Sequence, residues 1–364
     1  MNLDQITTTT LLLDKEKCKK NIQFMVEKSK KNNLIFRPHF KTHQSRIIGS
    51  WFKQFGVNEI TVSSLKMAEY FANDDWNDIT VAFPVNIREI DTINSISEEI
   101  QLNITIENTE SVDFLKDHLK FPIGFFIKID TGYHRTGVSF DIVLSVSKML
   151  KSASNSDKLE FKGFLSHAGN TYNTNDKNEI IDIFNDSRKK LIQLKNQFID
   201  KYPNIIISTG DTPSCSTVSD FKEIDEIRPG NFVFYDLTQY KLATCKFENI
   251  AVAMACPIVA KHSDRNEVIL YGGGVHFSKE FIEIKNQRIY GQLVELTNTG
   301  WKKIDEDLYL IKLSQEHGTI KVTDQIFKSL KIGEMVGIVP VHSCMTANLM
   351  NEYTTTDDDL IDHL

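Results

Sequence analysis

A lysine with an unusual set of neighbours stands early in the chain. Lys41 lies in the segment Arg37-Pro38-His39-Phe40-Lys41-Thr42-His43, directly after the apolar run Leu34-Ile35-Phe36. An amine at the end of such a run loses hydration, which lowers its pKa and lets it form a Schiff base with a carbonyl compound. A lone lysine would more simply face solvent in a loop, but two histidines and an arginine crowd the same segment. We therefore take Lys41 and His39 as candidate catalytic residues, together with Arg135 in a later segment.

Two later segments also place polar side chains after apolar runs. Residues 128–137 contain Arg135, whose guanidinium could bind an anionic ring oxygen or a carboxylate. A turn in which Arg135 pairs with a neighbouring acid explains that segment equally well. Residues 166–172 combine small residues, which allow close approach of a ligand, with the hydrogen-bonding rings of His167 and Tyr172. Taken alone, the second segment is typical of an ordinary loop.

A histidine and a cysteine two residues apart form a third candidate site. His342 and Cys344 follow the apolar run Met335 to Val341. On a strand, residues two apart point to the same face, so the imidazole and the thiolate could share one cation. Two ligands suffice only for a catalytic ion whose other positions are open to water or substrate. A buried cysteine beside an exposed histidine is the alternative.

The elements that would position these residues alternate along the first two-thirds of the chain. Short β-type runs are separated by amphipathic segments such as Lys66 to Phe71 and Asn178 to Gln197. This repetition predicts parallel strands with crossover helices, on the scale of an α/β (β/α)₈ TIM-type barrel. A doubly wound open sheet is the alternative. The eight predicted strands are Leu34–Phe36, Glu59–Val62, Ile79–Phe83, Leu102–Ile106, Phe125–Ile129, Phe161–Leu165, Ile205–Ser208 and Ile224–Ile227.

The loops after the seventh and eighth predicted strands are typical of a phosphate site. Gly210 and Thr212 follow the seventh strand, and Gly230 and Asn231 follow the eighth. In a barrel, the loops after these two strands commonly hold phosphate with main-chain N–H groups and a hydroxyl. Turns built from good turn formers are the alternative. The position in the strand order favours the phosphate site.

The pattern of β-type and helical runs changes after Tyr240. Runs such as Ala251 to Val259 and Leu308 to Leu313 are β-rich, with no long helical pattern between them. This predicts a smaller antiparallel β domain. We place the barrel at residues 14–240 and the β domain at residues 241–364, which we expect the N-terminal strand 7–13 to join.

Composition indicates an ordinary globular protein. The chain has 364 residues, is 41% hydrophobic and 25% charged, and carries a net charge of −7, so nucleic acid is not an expected partner. It contains no run long enough to cross a membrane and no signal-peptide pattern. Five irregularly spaced cysteines argue against a disulfide framework and predict a cytoplasmic location.

Together these segments resemble the D-serine dehydratase and D-threonine aldolase family, a branch of the alanine racemase-like, fold-type III pyridoxal-phosphate enzymes. The resemblance covers nearly the whole chain, and residues 37–43 are its most specific motif. It implies that Lys41 carries pyridoxal 5'-phosphate, that Arg135 lies near the cofactor ring and that Tyr172 lies near its pyridine nitrogen. The resemblance assigns the phosphate to Gly210, Thr212, Gly230 and Asn231.

One position departs from the family pattern. The step before Thr-Pro usually reads glycine-serine or glycine-threonine, but here it is Gly210-Asp211. A carboxylate beside a phosphate is unfavourable, so Asp211 is expected to point away.

The resemblance also implies a metal and a class of reaction. His342 and Cys344 match the family's metal pair, and thiolate plus imidazole favours zinc. Members similar to D-serine dehydratase carry the cysteine, whereas aldolases often have aspartate there. The implied activity is a lyase reaction on a D-3-hydroxy amino acid, by elimination of water or by retro-aldol cleavage, in a homodimer. An amino-acid racemase, a non-enzymatic pyridoxal-phosphate carrier and, more distantly, a metal-dependent barrel hydrolase are the alternatives.

Overall fold

A computed structural model describes residues 1–174 and 176–364. The strands, in chain order, are β1 (Thr10–Leu13), β2 (Ile35–Phe36), β3 (Glu59–Val62), β4 (Asp78–Pro84), β5 (Gln101–Ile106), β6 (Ile123–Asp130), β7 (Val138–Ser139), β8 (Leu159–Leu165), β9 (Ile206–Thr209), β10 (Glu226–Ile227), β11 (Val252–His262), β12 (Glu267–Tyr271), β13 (Ile282–Ile284), β14 (Gln287–Ile289), β15 (Gly291–Thr297), β16 (Gly300–Lys303), β17 (Tyr309–Leu313), β18 (His317–Lys321), β19 (Met335–Pro340), β20 (Tyr353–Thr355) and β21 (Leu360–Ile361).

The α-helices fall mainly between the first ten strands. They are α1 (Lys15–Lys31), α2 (Arg46–Gln54), α3 (Leu65–Ala72), α4 (Ile90–Glu99), α5 (Thr109–His118), α6 (Val143–Ala153), α7 (Lys177–Asn196), α8 (Thr212–Thr217), α9 (Leu237–Lys241), α10 (Gly274–Phe277), α11 (Asp324–Ser329) and α12 (Ser343–Met350). No helix within residues 1–174 and 176–364 is long and apolar enough to cross a membrane.

The residues group into two compact units. The barrel unit comprises residues 23–41 and 49–230, and the sheet unit comprises residues 1–22, 42–48 and 231–364.

The barrel unit contains eight parallel strands in the order β2-β10-β9-β8-β6-β5-β4-β3. A parallel bridge between His39 and Thr61 links the two ends of this series. Each of the eight predicted runs corresponds to one of these strands, so the predicted barrel is confirmed and the open sheet is excluded. Strand β6 shows why these strands could be recognised in the sequence. Seven of its eight residues are buried, as expected for a parallel strand covered on both faces.

A glycine allows two barrel strands to approach closely. Gly163 on β8 pairs with Ile206 on β9 and has φ +152°. A Cβ atom there would lie 2.0 Å from the main-chain oxygen of Ile206. No other residue type fits this position without displacing one strand.

The sheet unit is built around one ten-stranded sheet. Its strand order is β12-β18-β17-β15-β19-β11-β1-β20-β21, with β16 paired to β15. Strand β1 pairs antiparallel with β11, and the β1–β20 pair is parallel. The other pairs of this sheet are antiparallel, which confirms the predicted class of the second domain.

Candidate active site

Lys41 lies on a short 3₁₀ turn, Phe40–Thr42, just after the first barrel strand. The turn is anchored by Phe40, which is fully buried and packs its ring 4.9–5.0 Å from the rings of Phe52, Phe71 and Trp76. The next side chain, Lys41, is exposed. The expected burial of this amine is therefore not seen. The apolar anchor of the turn is Phe40, and Lys41 stays exposed near His39, whose pKa its charge lowers.

His39 is held in its neutral form. The main-chain N–H of Lys41 donates to its Nδ1 at 3.4 Å. Burial lowers the pKa of His39 well below its ordinary value, and the nearby positive charges of Lys41 and Arg228 lower it further. The Nδ1 atom therefore accepts a hydrogen bond, and the lowered pKa disfavours protonation of the ring.

A second lysine, Lys128, is influenced by the positive charges of Lys41 and Arg228 that also act on His39. It is 5% exposed on β6, and burial together with Arg228 and Arg135 lowers its pKa to about 7. In the described chain, its ammonium has no hydrogen-bond or ion-pair partner. Sequence reasoning did not select Lys128, although a charge inside an otherwise apolar strand was the available signal.

Arg135 is displayed by a tight loop after β6. The Asp130 carboxylate accepts hydrogen bonds from the main-chain N–H groups of Gly132, Tyr133 and His134 at 2.9–3.1 Å. The guanidinium of Arg135 lies 5.0 Å from the centre of the Tyr133 ring and is exposed. The loop therefore fixes its own backbone and leaves the arginine available to an anion.

Residues from three further strand ends meet at the carboxyl edge of the barrel. His167 Nδ1 lies 2.8 Å from the main-chain oxygen of Gly210, and the Thr212 N–H donates to the Tyr172 hydroxyl at 3.4 Å. Gly210 itself lies against Arg228, since a Cβ atom on it would be 2.5 Å from the Arg228 nitrogen. Three of the predicted site residues, Tyr172, Gly210 and Thr212, are thus neighbours.

Asp211 points into the protein and caps helix α8. Its Oδ1 accepts from the Ser214 N–H at 2.7 Å and from the Thr171 hydroxyl at 2.9 Å. Burial raises its pKa to about 6. Its Oδ2 is buried without a hydrogen-bond partner among the described residues.

Asn231 belongs to the sheet unit, and its side-chain amide donates hydrogen bonds within that unit. Its Nδ2 donates to Asp236 Oδ2 at 2.7 Å and to Ser343 Oγ at 2.9 Å. The predicted role of Asn231 at a phosphate can therefore be filled only by its main-chain N–H. Gly230 precedes it as the last residue of the barrel unit.

The predicted strand placement of the His342–Cys344 pair is wrong. Strand β19 ends at Pro340, and His342 is the residue before helix α12, which begins at Ser343. The two-residue period of a strand therefore does not apply. The two side chains are instead set by the turn from strand to helix.

Each member of this pair has a polar neighbour. Cys344 Sγ lies 3.3 Å from Thr42 Oγ1 and 3.5 Å from Asn231 Nδ2. His342 Nδ1 lies 3.6 Å from Asp236 Oδ2. Within residues 1–174 and 176–364, no cluster of three or more His, Cys, Asp or Glu residues could hold a metal. One thiolate and one imidazole fit an ion that keeps open positions, and do not fit a closed structural site.

Comparison with known families covers both parts of the chain. Residues 13–237 match the family model described as "Alanine racemase, N-terminal domain". The chain belongs to this family. Residues 251–356 match a second model, described as "Putative serine dehydratase domain".

Named relatives cover nearly the whole chain. D-serine dehydratase from Dictyostelium discoideum is 29% identical, over 98% of this chain and 95% of its own. D-threo-3-hydroxyaspartate dehydratase from Delftia sp. HT23 has the same fold, with a TM-score of 0.90, 22% identity and coverage of 99% and 98%. A metal-free cysteine-to-alanine variant of an enzyme of that name has a TM-score of 0.91, 22% identity and the same coverage. D-threonine aldolase from Filomicrobium marinum follows with a TM-score of 0.85, 18% identity and coverage of 99% and 95%.

Proposed function

We propose that this protein is a pyridoxal-phosphate-dependent lyase that acts on D-3-hydroxy amino acids with the help of a divalent metal, preferably zinc. The observation that carries the proposal is the exposed Lys41 on an anchored turn at the end of the first barrel strand. The same barrel unit holds Lys128 and Arg228, whose positive charges help to keep His39 neutral.

The residues of the barrel edge fit a phosphorylated cofactor. The buried Lys128 ammonium has no anionic partner within hydrogen-bond distance in the described chain, which suits a ligand that brings negative charge. In this proposal Lys41 holds the cofactor covalently, and Arg135 lies near its ring with Tyr172 near its pyridine nitrogen. The Thr212 hydroxyl and the main chain at Gly210, Gly230 and Asn231 hold the phosphate.

Bound pyridoxal phosphate supplies an electron sink for negative charge at the substrate Cα. The chain supplies the proton chemistry. Once the substrate amine has replaced Lys41 on the cofactor, the freed Lys41 amine would take the Cα proton of the D-amino acid, with the neutral His39 imidazole beside it. Net elimination from D-serine removes water and then restores it, which leaves pyruvate and ammonia.

His342 and Cys344 are the proposed metal ligands. A metal there supplies Lewis acidity toward a hydroxyl group. Thiolate with imidazole favours zinc over magnesium or manganese. Elimination is preferred over retro-aldol cleavage because the pair contains a cysteine where aldolases often have aspartate.

The deciding experiment is product analysis with and without a chelator. Purified protein is incubated with D-serine, D-threonine and D-3-hydroxyaspartate, and keto acid, ammonia and aldehyde are measured. We expect keto acid and ammonia in equal amounts, lost on chelation and restored by zinc. Borohydride reduction should attach the cofactor to Lys41.

Other outcomes identify the alternatives. Aldehyde and glycine from D-threonine would make the protein an aldolase. Metal-independent conversion of D-alanine to L-alanine would make it a racemase, and cofactor binding without turnover would make it a carrier. A borohydride label on Lys128 would overturn the assignment of Lys41. A cytoplasmic location also belongs to this proposal, on the strength of the five scattered cysteines, which are all free thiols.

A further inference from the structure

A buried carboxylate lies behind the proposed metal ligands in the sheet unit. Asp236 precedes helix α9 and is 1% exposed. Its Oδ1 accepts from the Gln239 N–H at 3.0 Å, which caps the helix. Capping therefore uses only one of its two oxygens, and the other is available for a different task.

The second oxygen, Oδ2, faces the start of helix α12. It accepts from the Ser343 N–H at 3.1 Å and from Asn231 Nδ2 at 2.7 Å, and it lies 3.6 Å from His342 Nδ1. In the part of the chain that the structure describes, His342 is the only side chain that can form an ion pair with Asp236. A carboxylate removed from water needs such a partner, since an isolated buried charge is strongly unfavourable.

This arrangement determines which ring nitrogen of His342 can bind a metal. A carboxylate at Nδ1 favours the tautomer with the proton on that atom, and so leaves the lone pair of Nε2 for the ion. The same oxygen holds the Ser343 main chain, between the two ligand residues. Asn231 extends the support, because its Nδ2 reaches both Asp236 and, at 3.5 Å, Cys344 Sγ.

We infer that Asp236 is a positioning residue of the metal site, which orients His342 so that its Nε2 binds the ion. The inference rests on the proposed function for the identity of the ligands. Partners of this kind typically contribute about tenfold to a hundredfold in metal affinity.

The test measures zinc binding by the cofactor-loaded full chain. Zinc affinity is determined by competition with a chromophoric chelator in wild type, Asp236→Ser and Asp236→Asn. Serine and asparagine both keep a helix-capping oxygen, and neither keeps the carboxylate. Asp14→Ser is the matched control in the same unit, because Asp14 Oδ1 accepts from the Lys17 N–H at the start of α1.

We expect both Asp236 variants to bind zinc about tenfold to a hundredfold more weakly, with the cofactor absorbance retained and Asp14→Ser unchanged. The absorption spectrum of cobalt-substituted protein should also shift in the Asp236 variants, since it reports ligand geometry. Wild-type zinc affinity and cobalt spectra in both variants, with metal lost from His342→Ala and Cys344→Ala, would overturn the inference and leave the proposed function standing. Undiminished zinc binding by His342→Ala and Cys344→Ala would instead refute the metal site itself, and the inference with it.

A measurement on wild type covers the case in which the variants do not fold. Side-chain ¹⁵N NMR of the zinc-loaded protein identifies the metal-bound and protonated nitrogens of His342. A proton on Nδ1 and zinc on Nε2 supports the inference, and zinc on Nδ1 refutes it.

Discussion

The charges that act on Lys128 in the barrel unit are mostly positive. Lys128 has its pKa lowered to about 7 because burial, Arg228 and Arg135 all oppose its charge. Glu107 acts in the opposite direction and is the only acid among the main influences on that pKa. Such an excess is unfavourable in the protein alone and favourable once an anion binds. The positive charge around Lys128 therefore favours binding of an anionic ligand and does not stabilise the fold by itself.

Asp211 offers a test of buried charge at a single residue. Its pKa of about 6 exceeds the ordinary 3.8, so the folded chain holds the proton more tightly than the unfolded chain. The resulting stabilisation is complete below about pH 4 and is lost as the pH rises through 6. A shift of this size is worth about 3 kcal/mol.

We expect Asp211→Asn to remove the loss of stability that wild type shows as the pH rises through 6. Asparagine keeps an oxygen for the Ser214 N–H and cannot ionise. The free energy of unfolding of the Asp211→Asn variant, measured by urea titration, should exceed that of wild type by about 1–3 kcal/mol at pH 8. The two values should match near pH 4.5. The exposed Asp157→Asn serves as control. Parallel pH profiles for wild type and Asp211→Asn would show that Asp211 does not titrate as described.

Among the elements, the close contact of β8 with β9 makes Gly163 a sensitive position. Gly163→Ala should lower the free energy of unfolding by about 3 kcal/mol or more, because the new Cβ meets Ile206 and the backbone conformation is strained. Gly56→Ala is the matched control, since Gly56 has φ +81° and a Cβ atom added there would have no neighbour within 4 Å. It should lose only about 1–2 kcal/mol. Equal losses in urea titrations would show that the strand contact is not limiting.

Elements were predictable from sequence where one physical rule dominates. Parallel barrel strands are buried on both faces, so β6 stands out as a mostly apolar run. The turn between Pro340 and Ser343 has no such signature, and a strand rule applied there gave the wrong geometry for His342 and Cys344.

The residues that orient the candidate site residues were harder to predict than the site residues themselves. Asp236 is far from His342 along the chain and meets it only through the fold. Asn231 was assigned to the phosphate by its place in a loop, and only the fold shows that hydrogen bonds to Asp236 and Ser343 determine the direction of its side chain. Sequence motifs identify residues with chemistry, whereas the partners that orient them come from distant segments.

For the whole molecule, the main untested prediction is a homodimer. Several large apolar side chains of the sheet unit stay exposed on α10 and α12, namely Val275, Met345 and Leu349 at 40%, 42% and 37%. Light scattering on the cofactor-loaded protein should give twice the chain mass of 41.7 kDa. A mass equal to one chain at micromolar concentration would refute the dimer.

The sheet unit is assembled from three separate stretches of chain, and this has a consequence for synthesis on the ribosome. Strand β1 pairs with Val252–Ala255 on β11, so Leu11, Leu12 and Leu13 leave the ribosome long before their antiparallel partner exists. At translation rates on the order of 5–20 residues per second, the delay is on the order of tens of seconds. The barrel segments are complete during that interval, while an apolar strand with unsatisfied hydrogen bonds waits. Vectorial synthesis therefore exposes the nascent N-terminus to aggregation or chaperone capture until the last third of the chain emerges.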